Sequence, residues 1–141
     1  MSYYRKYFQE DTMSRSLDDL IPSMKAKALD FKKRMEEAGI TFMFTCTYRT
    51  QAEQNELWKI GRNGDKRPKV TWTTLTRHTA GDAFDIAIVK DKKPTWDLKV
   101  SVNKNEIPDY FEAGKIGESI GLVWGGRWEK HPDYPHFQET E

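Results

Sequence analysis

The chain has 141 residues, 37% hydrophobic and 13% aromatic, with a net charge of +1 from 23 basic and 22 acidic side chains. That length suits one domain that buries roughly two thirds of its unfolded surface, and the aromatic content excludes a disordered chain. Near-zero charge gives no global field to draw in nucleic acid or an anionic membrane, and a single cysteine, Cys46, excludes an intramolecular disulfide.

Residues 1–15 read as an N-terminal arm, and they lack the apolar stretch of a signal peptide. Residues 16–141 read as a single domain. No segment approaches the roughly 18 apolar residues of a membrane span. Ser16 to Ala38 is expected to be helical, because Met24, Ala28, Phe31, Met35 and Ala38 recur at steps of four and three. Pro22 suits the first turn of its main part, and Gly39 is a natural stop. Ile40 to Tyr48 alternates as a strand, with Ile40, Phe42, Phe44, Cys46 and Tyr48 on one face. Cys46, in that apolar run, reads as a small buried hydrophobe.

Thr50 with Glu53 three residues later forms a capping box for a second helix that Gly61 ends. Arg62 to Thr76 is a long loop. The basic stretch Lys59 to Lys69 reads as solvated, or as a weak patch for an anionic polymer. Ala83 to Val89 is a strand with Phe84, Ile86 and Ile88 on one side and Asp85 on the other, and Lys90 to Pro94 is a turn. Pro108 to Ile120 reads as a third helix, loosened at Gly114 and Gly117 and ended by Gly121. Short strands follow at Leu122–Trp124 and His136–Gln138. Helices and strands are mixed without regular βαβ alternation. The expected class is therefore α+β, a short antiparallel sheet flanked by about three helices.

The chemistry concentrates in few residues. Asp85 is a carboxylate in an otherwise apolar strand, where a buried charge needs a partner or a metal. His78 lies seven residues before it, and Gly81 and Ala83 between them are small enough for another backbone to approach. His136 follows two prolines, Pro132 and Pro135, that stiffen its approach, and Asp133 precedes it by three. Two histidines and one carboxylate can hold zinc with an open fourth position, between sheet and loops. Zinc so held acidifies its water towards a pKa of ~7, and Asp133 could work that proton. Other readings stay open here. Asp85 could pair with an arginine, and His78 could be a surface loop residue.

The run Thr76-Arg77-His78-Thr79-Ala80-Gly81-Asp82-Ala83-Phe84-Asp85 resembles the His-x-x-Gly-x-Ala-x-Asp signature of the zinc D-Ala-D-Ala carboxypeptidase and L-alanyl-D-glutamate endopeptidase family. Tyr48-Arg49-Thr50 through Gln54 and Leu57-Trp58, then Gly61-Arg62, is similar to a second family block. Gly125-Gly126-Arg127-Trp128 with Asp133-Tyr134-Pro135-His136 is similar to a third. All three blocks occur in family order, over residues 16–139.

The resemblance implies a zinc peptidase with His78, Asp85 and His136 as metal ligands, Asp133 as catalytic base and Arg49 steadying the substrate carbonyl or carboxylate. Arg49 could instead make a structural ion pair near a strand end. The implied substrate is the peptidoglycan stem peptide, with L-alanyl-D-glutamate as the expected bond and terminal D-Ala-D-Ala as the alternative. A monomer is expected, with no nucleic-acid partner and no membrane insertion. A non-catalytic zinc-stabilised phage module is the reading from another class. Two departures from many relatives are Thr76 in place of Ser, and Asp133 with Phe137-Gln138 in place of a Glu base with Trp-Glu after the last His. The shorter base leans towards the phage endolysin branch. Such a protein accumulates in the host cytoplasm and meets the wall once the membrane is permeabilised. Trp72, Trp124 and Trp128 could wall the groove or belong to the core. His131 has no assigned family position and reads as a surface residue or as support for the site.

Overall fold

The computed structural model describes residues 14–140. Residues 1–13 of the expected arm lie outside the described residues. Three helices, α1 (Pro22–Glu37), α2 (Gln51–Lys59) and α3 (Asp109–Ile120), accompany five strands: β1 (Phe42–Cys46), β2 (Ala83–Lys90), β3 (Lys93–Thr95), β4 (Val123–Trp124) and β5 (His136–Gln138). The strands form one antiparallel sheet in the order β1-β2-β5-β4, with β3 paired to β2. This is the expected α+β domain.

Helix α1 begins at Pro22, as its fixed φ allows. The stretch before it is a 3-10 turn at Leu17–Asp19, so the helix is shorter than its polar and apolar pattern suggests. Its stripe of Met24, Ala28, Phe31 and Met35 is fully buried. Phe31 meets Phe42, Phe84 and Phe137 at centroid distances of 5.4, 5.2 and 5.0 Å. Burying each such side chain contributes about 1.5–3 kcal/mol, so this cluster pins the helix to one face of the sheet.

Three details differ from the sequence reading, each for a steric reason. The turn after β2 is confined to Asp91 and Lys92, both at positive φ, and Lys93 already pairs as β3. Helix α3 runs unbroken through Gly114 and Gly117. These glycines exist for close packing. A Cβ on Gly117 would lie 2.6 Å from the Phe137 ring, and one on Gly114 would strike Trp124. Finally, β1 carries a bulge between Phe44 and Cys46. Phe44 opposes Ile86 while Cys46 opposes Asp85, so the extra residue turns Cys46 from the core face to the opposite one.

The sheet therefore has two unlike faces. Phe84, Ile86, Phe137 and Trp124 enter the core. Asp85, His136, Gln138 and Cys46 look the other way, into the site.

Candidate active site

His78 sits on a 3-10 turn, Arg77–Ala80, that the Thr76 side chain caps by accepting from the His78 N–H. Gly81 closes this turn at φ +74, a conformation that favours glycine. Its carbonyl accepts from the Ile21 N–H at 2.9 Å, and a Cβ there would stand 3.2 Å from the Asp19 carbonyl. The small residue thus admits a second backbone, as its sequence context suggests. The turn is 2% exposed at His78, which removes the reading of that residue as a surface one.

Asp85 is fully buried in mid-β2, opposite His136 in the register with β5. Its Oδ1 lies 3.0 Å from His136 Nδ1 and 3.2 Å from His78 Nε2. The two imidazoles meet edge to face at 5.0 Å. One ligand atom from each of His78, Asp85 and His136 falls within 4.8 Å of the others. Burial alone would push the Asp85 carboxyl up, yet the His78 imidazole and the His136 hydrogen bond hold it well below the usual range. Burial is the largest single influence on His78 and would lower it, but Asp85 and Cys46 together outweigh it and raise the imidazole to about 9. Neither ring nitrogen of His78 makes a hydrogen bond of good geometry. Two imidazoles and a carboxylate converging out of water, one ring so poorly satisfied, fit a divalent cation of zinc's preference.

The other two expected residues line the same cleft, about 460 Å³ in volume, together with His78 and His136. Asp133 is held by its own backbone, whose N–H donates to the Gly125 carbonyl at 2.9 Å while its carbonyl accepts from His136 N–H at 3.2 Å. Gly125 is required there, because a Cβ would collide with the Asp133 carbonyl. Arg49 is 3% exposed, with Nη2 3.9 Å from Asp85 Oδ2. So Asp85 has an arginine neighbour as well as two histidines, and the ion-pair reading of Arg49 is part of the geometry.

Two glutamines of the site have no role assigned from the sequence, although Gln54 stands in the second family block. Gln138 Oε1 lies 2.8 Å from His136 Nε2, fixing the ring from the side opposite Asp85. Period-two alternation from His136 was the available signal. Gln54, fully buried on α2, accepts from Arg49 Nη1 at 2.5 Å and donates to the Thr73 carbonyl at 2.6 Å. Nothing in its helical spacing distinguishes it from a surface residue. Of the three tryptophans, Trp124 is core at 3% exposed, whereas Trp72 and Trp128 line the cleft.

Comparison with known proteins identifies the family and the fold. Residues 69–139 match the profile of the peptidase family described as D-alanyl-D-alanine carboxypeptidase. The chain is 35% identical to the peptidoglycan L-alanyl-D-glutamate endopeptidase CwlK of Bacillus subtilis (strain 168), over 85% of this chain and 73% of that protein. Its fold is similar to the crystal structure of the Serratia marcescens L-Ala D-Glu endopeptidase ChiX, with a TM-score of 0.62, 19% identity, and 99% of this chain and 94% of that one covered. The chain belongs to the D-alanyl-D-alanine carboxypeptidase family of metallopeptidases.

Proposed function

We propose that this metallopeptidase is a zinc-dependent peptidoglycan hydrolase that cleaves the L-alanyl-D-glutamate amide of stem peptides. The observation that carries it is the convergence of His78, Asp85 and His136 beside a cleft that Asp133 and Arg49 also line. The bond choice is supported by the 35% identity to an endopeptidase of that name.

His78, Asp85 and His136 would hold the metal. Zinc bound there supplies Lewis acidity, polarising the scissile carbonyl and acidifying a water. Asp133 takes the proton from the attacking water and gives it to the leaving amine. Arg49 offers fixed donors towards negative charge growing on the carbonyl oxygen, with Gln54 holding one arm of its fork. Residues 16–141 form the catalytic domain in this reading, with 1–15 as an arm, and the working unit is a monomer.

We place the enzyme in the phage endolysin branch, acting on the wall of a host after release from its cytoplasm. The support is Asp133 in the position where many carboxypeptidase relatives have Glu. No helix among the described residues is long and apolar enough to cross a membrane.

The test is product mass analysis on defined muropeptides with zinc and with a chelator. A new D-Glu amine in the zinc arm alone is the expected result. Release of free D-Ala instead assigns the carboxypeptidase activity. No turnover by the zinc-loaded protein assigns a binding module.

A further inference from the structure

The loop between α2 and the His78 turn carries one large side chain that the core does not need. Trp72 is 45% exposed, yet its backbone is held tightly on both sides. Gln54 donates to Thr71 Oγ1 at 3.2 Å and to the Thr73 carbonyl at 2.6 Å, and Arg62 donates to the Thr71 carbonyl at 3.1 Å. The indole is thus aimed by the main chain. It meets the exposed ring of His131, 59 positions along the sequence, at a centroid distance of 3.8 Å and an interplanar angle of 14°. Both rings line the cleft that holds His78, Asp133 and His136. His131 reaches this position at φ +53, a strained conformation for a residue with a Cβ, which persists only where the surroundings impose it.

Exposed rings stacked in this way cover little of the core, so folding gives no reason to hold them. Their surroundings point to a ligand. Lys69 Nζ lies 5.4 Å from the Trp72 ring centre, and Lys130, next to His131, lines the cleft. Ammonium groups beside a flat apolar wall suit a peptide that combines planar amides with free carboxylates.

Resting on the function proposed above, we propose that Trp72 and His131 act together as a specificity-determining wall. It packs against the acidic stem peptide beside the scissile bond and sets its register in the cleft. The pair binds substrate and takes no part in proton transfer.

The experiment compares Trp72→Ala, His131→Ala, their double variant and His131→Phe in the zinc-loaded enzyme. Cleavage kinetics and calorimetric affinity are measured for one defined muropeptide. Each alanine variant is expected to raise KM and Kd about tenfold while kcat stays within about twofold. The double variant should be no worse than either single one, because half a wall binds no better than none. His131→Phe, which keeps a flat ring, should restore both constants. Zinc content and Tm serve as controls that a purely structural role would move. Unchanged KM and Kd in both single variants, or loss confined to kcat, overturns the proposal. If the native chain shows no turnover, the enzymatic reading has failed, and the muropeptide affinities still decide the wall.

Discussion

Asp85 and His136 stand directly opposite each other on β2 and β5, and their side chains meet at 3.0 Å on the face of the sheet turned away from the core. A register slip of one residue between these strands would put the two side chains on opposite faces of the sheet, so the pairing of two strands fixes the centre of the site.

Replacing Asp85 by Asn keeps the shape but removes the charge between two imidazoles. We expect zinc affinity to fall by more than about 100-fold, with wall lysis lost in parallel. Metal content after dialysis against a buffered zinc series checks this. Full retention of zinc by the variant would contradict the ligand assignment.

Asp133→Asn separates chemistry from folding. Its backbone contacts to Gly125 and His136 do not depend on the side-chain charge. Zinc content and Tm should match the native chain, while kcat falls by about 10²–10⁴-fold. A variant with normal turnover would remove Asp133 from the mechanism.

Arg49→Lys retains the positive charge near Asp85 but not the fork that also engages Gln54. A kcat lower by about 10²–10³-fold with zinc still bound is expected. Steady-state kinetics with parallel metal analysis give the answer, and near-native kcat would show that charge alone suffices.

Gly114→Ala probes the fold away from the site. The added methyl would meet the Trp124 indole, whose Nε1 donates to the Tyr134 carbonyl at 2.8 Å. Chemical denaturation should show a loss of about 1–3 kcal/mol.

Tyr110 supplies a pH signature. Its buried hydroxyl accepts from the Ile88 N–H and donates to the Thr95 carbonyl, and burial raises its pKa from 10.0 to about 12. A pKa raised in the folded state gives stability that is complete below pH 10 and is lost as pH rises towards 12. Tyr110→Phe should be less stable at neutral pH, by about 1–3 kcal/mol, because the Ile88 amide loses its partner. It should also lack Tyr110's share of the alkaline slope. Denaturant titrations from pH 8 to 11.5 compare the two.

By itself the sequence determined the elements and the chemical inventory. Apolar periodicity marks α1 and β2, and the capping box of Thr50 and Glu53 appears as written, with contacts of 3.1 and 2.8 Å. An aspartate in an apolar strand signals a site because a buried charge demands compensation. Tertiary structure alone decided what surrounds that aspartate. The bulge that turns Cys46 towards the site, the Gln54 bridge from Arg49 to the Thr73 carbonyl, and the stacking of Trp72 on His131 join residues from different segments. Local pattern records which face a residue prefers. It does not record which distant segment will meet that face, because strand register and chain packing are settled only when the whole core closes.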